Sequence, residues 1–169
     1  MLGSKYHCVV SLAELPPLTD RLVACVVPPL VLLLQGNLGA GKTTFVQSLG
    51  KSLGIREQIS SPTFTLIDEY YSGKFPLYHI DLYRLEPIAI PELHLELYWQ
   101  DRQEFEPGIV AIEWSEKLPQ LPPQFITVTF HLTKQEDTRL LTWTAQGEEA
   151  IKALTCLATL ANLTSLPQG

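Results

Sequence analysis

Clustered positive charge is what this sequence most clearly lacks. Its 169 residues carry 12 Lys and Arg against 18 Asp and Glu, a formal net charge of −6. Proteins that coat nucleic acid neutralise phosphates with grouped Lys and Arg. That class is therefore excluded as the main role, although contact with RNA inside a larger assembly is not. Cysteine is scarce as well: Cys8, Cys25 and Cys156 are odd in number, far apart and free of any C-x-x-C pair. Neither a disulfide framework nor a zinc cluster is expected from them, and buried free thiols in a reducing cytoplasm are the natural reading. Long hydrophobic runs are missing too. The longest, LVACVVPPLVLLL at residues 22–34, is broken by Pro28-Pro29 and falls short of the ~20 residues a membrane span needs. No basic segment with a small-residue cleavage site precedes it, so no secretory signal is read. The expectation is a cytoplasmic protein with no membrane association.

Repeats and low-complexity blocks are absent, and 46% of the residues are hydrophobic. A chain near this length buries roughly 70% of its unfolded surface as one domain. We expect a single domain over residues 1–165, with residues 166–169 as a frayed tail. The pattern predicts an α/β fold in which a mostly parallel sheet is flanked by helices. Residues 30–34, LVLLL, read as a strand covered on both faces, which is the habit of parallel sheets. A glycine-rich turn follows, and Phe45, Leu49 and Leu53 then recur at helical spacing until Gly54. Residues 75–80 and 108–112 read as further strands, and residues 91–105 as helix-compatible, with Pro91 at a first-turn position. Residues 126–132 and 140–144 alternate like a two-stranded ribbon around the charged turn KQEDTR. An Ala/Leu-rich helix over 148–163 closes the chain.

The decisive motif is GNLGAGKT at residues 36–43, which fits G-x-x-x-x-G-K-[ST]. It follows a predicted buried strand and opens a predicted helix, the context a phosphate loop requires. Its glycines allow positive φ and bring backbone N–H groups to phosphate oxygens. The helix N-terminus adds its positive dipole end. The expected nucleotide-binding stretch is Asn37, Leu38, Gly39, Ala40, Gly41, Lys42, Thr43 and Thr44. Lys42 suits the β- and γ-phosphates, and the Thr43 hydroxyl suits the Mg²⁺ shell.

Such a loop needs carboxylates. Asp81 ends FPLYHI and Glu113 ends GIVAI, both at the carboxyl ends of predicted strands, where ligands of open α/β sheets bind. Glu113 stands where a Walker B aspartate usually does. Either residue is a candidate for catalysis and for the metal; Asp81 could instead cap a helix. Thr63, in a loop after the P-loop helix, is a candidate sensor of the γ-phosphate. His79 reads equally as a site neighbour or a core histidine, and Trp114 as a wall of the site or a packing residue.

Four blocks, GNLGAGKTTF, SPTFTLIDEY, YHIDLYRLE and VAIEWSEKL, occur in the order and spacing of the bacterial TsaE (YjeE) family. The chain resembles these small ATPases of tRNA threonylcarbamoyladenosine synthesis from residue 31 to about 118. The resemblance implies an α/β fold, a single P-loop NTPase-like domain with a mixed, mostly parallel sheet flanked by helices, and with it Mg²⁺-dependent ATP binding, release of ADP, and a weak ATPase activated by partners. Those partners would be TsaD-like and TsaB-like proteins, with tRNA reached only through their complex and adenosine 37 as the modified nucleoside. It also implies roles for Lys42, Thr43, Asp81 and Glu113, with Thr63 in the switch-like loop and Trp114 after the glutamate. The Pro-interrupted segment before the first strand and the region beyond Leu121 follow the family pattern least.

Two other readings compete. P-loop kinases of this size usually clamp the transferred phosphoryl group with several arginines. Here Arg21, Arg56, Arg84, Arg102 and Arg139 are scattered, which weakens that alternative. A nucleotide-dependent binding module without useful hydrolysis is the third. No N-K-x-D segment is present to read guanine, which favours ATP.

Overall fold

A computed structural model describes residues 4–100 and 104–166. Its elements in chain order are β1 (Lys5–Ser11), α1 (Leu15–Cys25), β2 (Leu30–Gln35), α2 (Lys42–Ser52), β3 (Ile67–Tyr70), β4 (Leu77–Asp81), β5 (Ile109–Glu113), β6 (Phe125–Leu132), β7 (Thr138–Gln146), α3 (Glu148–Leu160) and β8 (Thr164–Leu166). Among the described residues, eight strands form one mixed sheet in the order β3-β4-β5-β2-β6-β7-β1-β8. The centre, β4-β5-β2-β6, is parallel. Both flanks pair antiparallel. β4 and β5 are buried along their whole length and β2 along all but its last residue, because both of their faces are covered, whereas β6 alternates between buried and partly exposed residues.

The three α-helices pack on one face of the sheet. Alternate strand residues Leu32, Leu34, Ala111, Ile126, Val128 and Trp143 meet Leu22, Phe45, Leu49 and Leu154 there. Phe45 sits edge-on to Phe130 at 5.7 Å and to Trp143 at 6.0 Å, anchoring the first turn of α2 to β6 and β7. Thr19 of α1 bonds Ser48 and Ser52 of α2 at 2.9 and 2.8 Å, which aligns the two helices. Val31, Leu33, Tyr78, Ile80, Val110 and Ile112 cover the other face beneath the segment that links β4 to β5.

Three expectations need correction. The segment at 91–105 is not a regular helix: Pro87–Leu93 and Leu95–Tyr98 form successive 3-10 turns, broken at His94 with φ 48°. Pro91 lies inside the first turn, where its missing N–H removes a helical hydrogen bond. Residues 101–103, the end of the expected helix, lie outside the described residues. The free-thiol reading fails for two of the three cysteines. Cys25 at the end of α1 and Cys156 in α3 are disulfide-bonded with Cα atoms 5.7 Å apart, and only Cys8 is a free thiol, half-buried. Their separation of 131 residues gave no sequence cue, since the packing of α3 on α1 brings them together.

The prolines before the first central strand do not break the helix there, because Pro16 and Pro17 occupy its first turn, where N–H groups need no partner. Leu166, assigned to the tail on sequence grounds, pairs with Lys5 at the sheet edge. Residues 167–169 lie outside the described residues. Thiol titration of the denatured, unreduced protein should count one free thiol, Cys8, and three after reduction.

Candidate functional site

The site forms where β2 ends. Gly36 leaves the strand at φ 145°, and a Cβ there would lie 2.9 Å from the Phe130 carbonyl oxygen, so only glycine fits. Gly41, at φ 106°, turns the chain into α2. The Ala40 N–H donates to the Asn37 carbonyl at 3.0 Å, closing the loop on itself, and the Phe45 N–H donates to the Gly41 carbonyl at 2.9 Å, starting the helix. The loop is also held from behind. Arg139 of β7 donates from Nε to the Ala40 carbonyl at 2.8 Å and from Nη2 to the Gly39 carbonyl at 3.4 Å.

Lys42 is 4% exposed. Its Nζ donates to the Gly36 and Asn37 carbonyls and lies 4.2 Å over the Trp114 ring. Burial pushes its ammonium below the ordinary lysine range, while Glu113, Glu116 and Asp81 pull it back up. Trp114 holds its place with a left-handed backbone, φ 58°, and stacks at a tilt on Tyr83 at 5.0 Å.

Both carboxylates stand opposite the loop. Parallel register pairs Leu34 with Glu113, and Glu113 with Asp81. Each is only 3% exposed. The Thr43 hydroxyl donates to Glu113 Oε1 at 2.8 Å, with Oε2 at 3.1 Å. Asp81 Oδ2 accepts from Ser61 at 3.0 Å and Thr63 at 2.9 Å, and Oδ1 accepts from the Tyr83 N–H at 2.9 Å. The loop after α2 is thereby drawn onto the end of β4.

A cleft of about 190 Å³ opens between these groups. Leu38, Gly39, Gly41, Lys42, Thr43, Thr44, Thr63, Asp81, Glu113 and Trp114 all line it. Asn37 and Ala40 do not: Ala40 is buried under the loop, and both contribute backbone atoms to its shape. Ser61 and Tyr83 line the cleft without having been singled out from sequence. Ser61 shares a polar turn with Thr63, which was a usable signal. Arg139 carried none, being one isolated arginine beside a charged turn. A larger cleft of about 400 Å³ lies between the 3-10 turns and residues 118–123, but its lining is mostly apolar and distant from the loop.

A buried parallel strand, a glycine loop capping a helix, and carboxylates on neighbouring strand ends together define a P-loop α/β domain. Residues 9–141 match the family model described as "Threonylcarbamoyl adenosine biosynthesis protein TsaE". The chain belongs to the TsaE family. It is 62% identical over 98 residues to the tRNA threonylcarbamoyladenosine biosynthesis protein TsaE of Nostoc sp., covering 58% of this chain and 60% of that protein. The Synechocystis protein of the same name is 57% identical over 94 residues, covering 56% and 59%. The matches thus span about 60% of the length of those two relatives. The Bacillus subtilis TsaE is 40% identical over 118 residues, covering 69% and 70%. Among solved structures, Bacillus subtilis YdiB superposes with a TM-score of 0.77 at 31% identity, covering 96% of this chain and 99% of that one.

Arg139→Ala should free the loop carbonyls. Losing a charge-assisted hydrogen bond of about 1.5 kcal/mol should speed amide hydrogen exchange at Gly39–Gly41 roughly tenfold, read by mass spectrometry.

Proposed function

We propose that this protein binds ATP with Mg²⁺ and hydrolyses it slowly to ADP and phosphate, in the service of tRNA threonylcarbamoyladenosine synthesis. The observation that carries this reading is the Thr43–Glu113 hydrogen bond, which joins the first turn of α2 to the end of β5 directly beside Asp81. Thr43 donates its proton to Glu113, which leaves its oxygen lone pairs available to a cation. The donor set is one hydroxyl and two carboxylates, all hard oxygens. That fits Mg²⁺, which keeps several waters and takes phosphate oxygens as well.

Each residue then has a task. The loop N–H groups and the N-terminus of α2 bind the phosphates. Lys42 exchanges its contacts with the loop carbonyls for the β- and γ-phosphate oxygens. Thr43, Glu113 and Asp81 would hold Mg²⁺, directly or through water, and Mg²⁺ there would supply neutralisation of the charge on the phosphates. Thr63, tethered to Asp81, stands where it can contact the γ-phosphate side. With ATP and Mg²⁺ bound, these residues would orient the attacking water, and one of the two carboxylates would accept the single proton that water loses as its oxygen bonds the γ-phosphorus and the bond to ADP breaks.

Arginine placement argues against the kinase alternative. Arg84 stacks on the exposed Phe64 ring at 4.6 Å, and Arg139 is engaged with loop carbonyls. The absence of an N-K-x-D segment favours adenine over guanine. We assign the protein to the cytoplasm beside its tRNA substrate complex. Among the described residues no helix is long and apolar enough to cross a membrane. Family membership supports partners resembling TsaD and TsaB, with tRNA contacted through them.

Lys42→Ala should weaken ATP-analogue binding by at least about a hundredfold in calorimetry, with an unchanged circular dichroism spectrum, because it removes a buried charge-assisted contact. Steady-state phosphate release should be low for the isolated protein and rise on adding the TsaB- and TsaD-like pair. Fast unaided turnover, or indifference to those partners, would contradict the assignment.

A further inference from the structure

One buried titratable group has no task so far. His79 lies on β4, two residues before Asp81 and on the same face of the strand. It is fully buried. Its Nε2 lies 2.7 Å from Glu113 Oε1. Its Nδ1 is buried without a hydrogen-bond partner among the described residues.

We propose that His79 is a positioning residue for Glu113: its buried imidazole donates from Nε2 to Oε1 and fixes the carboxylate from behind so that it faces Thr43 and the cation. The proposal rests on the reading of Glu113 as part of a Mg²⁺–ATP site.

The proton follows from bookkeeping of donors and acceptors. An ionised carboxylate only accepts, so Nε2 must donate. The opposite tautomer would set an Nε2 lone pair against the carboxylate and leave a buried Nδ1–H without an acceptor. The Nε2–H tautomer leaves no buried donor unpaired.

The need follows from a comparison of the two carboxylates. Asp81 is fixed by three donors, Ser61, Thr63 and the Tyr83 N–H. Glu113 has one more rotatable bond than the aspartate usual at this position, and Thr43 is the only other side chain that bonds it among the described residues. Thr43 must also serve the cation. His79 supplies the restraint that lets a glutamate do an aspartate's work. Partners of this kind behind a metal-binding group are typically worth about tenfold to a hundredfold in metal affinity.

The test has two arms on the full-length protein. Long-range ¹H–¹⁵N spectra of the nucleotide-free protein should show His79 as the Nε2–H tautomer, and Glu113→Gln should perturb its ring signals. A Nδ1–H tautomer would overturn the proposal. In the second arm, calorimetry measures binding of a non-hydrolysable ATP analogue in Mg²⁺ and in EDTA. His79→Leu should reduce the Mg²⁺-dependent gain about tenfold or more. His79→Gln, whose amide can reach Oε1, should restore most of that gain. If His79→Leu does not fold, His79→Asn takes its place, because its shorter amide falls short of Oε1. A folded His79→Leu or His79→Asn protein that keeps the wild-type gain would overturn the proposal. A wild-type protein that binds the analogue equally with and without Mg²⁺ would overturn the reading of the site and this role with it. The tautomer result would still report separately on the His79–Glu113 contact.

Discussion

The parallel pairing of β2, β5 and β4 is the constraint on which the site depends. It places Leu34, Glu113 and Asp81 on one rung at the carboxyl edge of the sheet. The phosphate loop starts just beyond Leu34, so the carboxylates face it without any long-range search by side chains. A slip of one residue in either pairing would turn a carboxylate toward the opposite face. The apolar residues that hold this register, Leu32 against Ala111 on one face and Leu33 against Ile112 on the other, are therefore as important to the site as the residues that line it.

Charge is distributed around that rung in an orderly way. The protein is acidic overall, yet the loop meets an anion with backbone dipoles and one lysine rather than with a basic patch. Lys42 sits between its own loop carbonyls, the Trp114 ring and the two carboxylates, so burial is countered by neighbours of opposite charge. In the proposed reaction, two buried carboxylates beside a polyanion would repel it, and a divalent cation resolves that conflict. In that proposal the acidic groups and the cation act as one electrostatic unit.

Other side chains hold these groups in place. Arg139 holds the loop through its carbonyls, His79 holds Glu113, and Ser61 helps Thr63 hold Asp81. These contacts join β7, β4 and the loop after α2 to the two chemical centres. Each fixes a group whose own flexibility would cost binding energy, and each comes from an element remote in sequence.

Local pattern made much of this legible in the chain itself. The glycine spacing, the apolar run at 30–34 and the acidic residues ending two strands are consequences of neighbouring residues, so GNLGAGKT, Asp81 and Glu113 could be read directly. The β6–β7 ribbon and the helices at 42–52 and 148–160 followed from periodicity of the same kind. The 3-10 turns at 87–98 did not, because a helical pattern says nothing of the bonds that an internal proline removes. Nor did the Cys25–Cys156 bond, the hold of Arg139 on the loop or the contact of His79 with Glu113. Those pairs lie between 34 and 131 residues apart, and only the packing of sheet and helices sets them side by side. The sequence by itself determined which groups could meet a phosphate, since that chemistry is written in adjacent residues. Tertiary structure alone decided which distant side chains would hold those groups still, since their partners are chosen by strand register and helix packing.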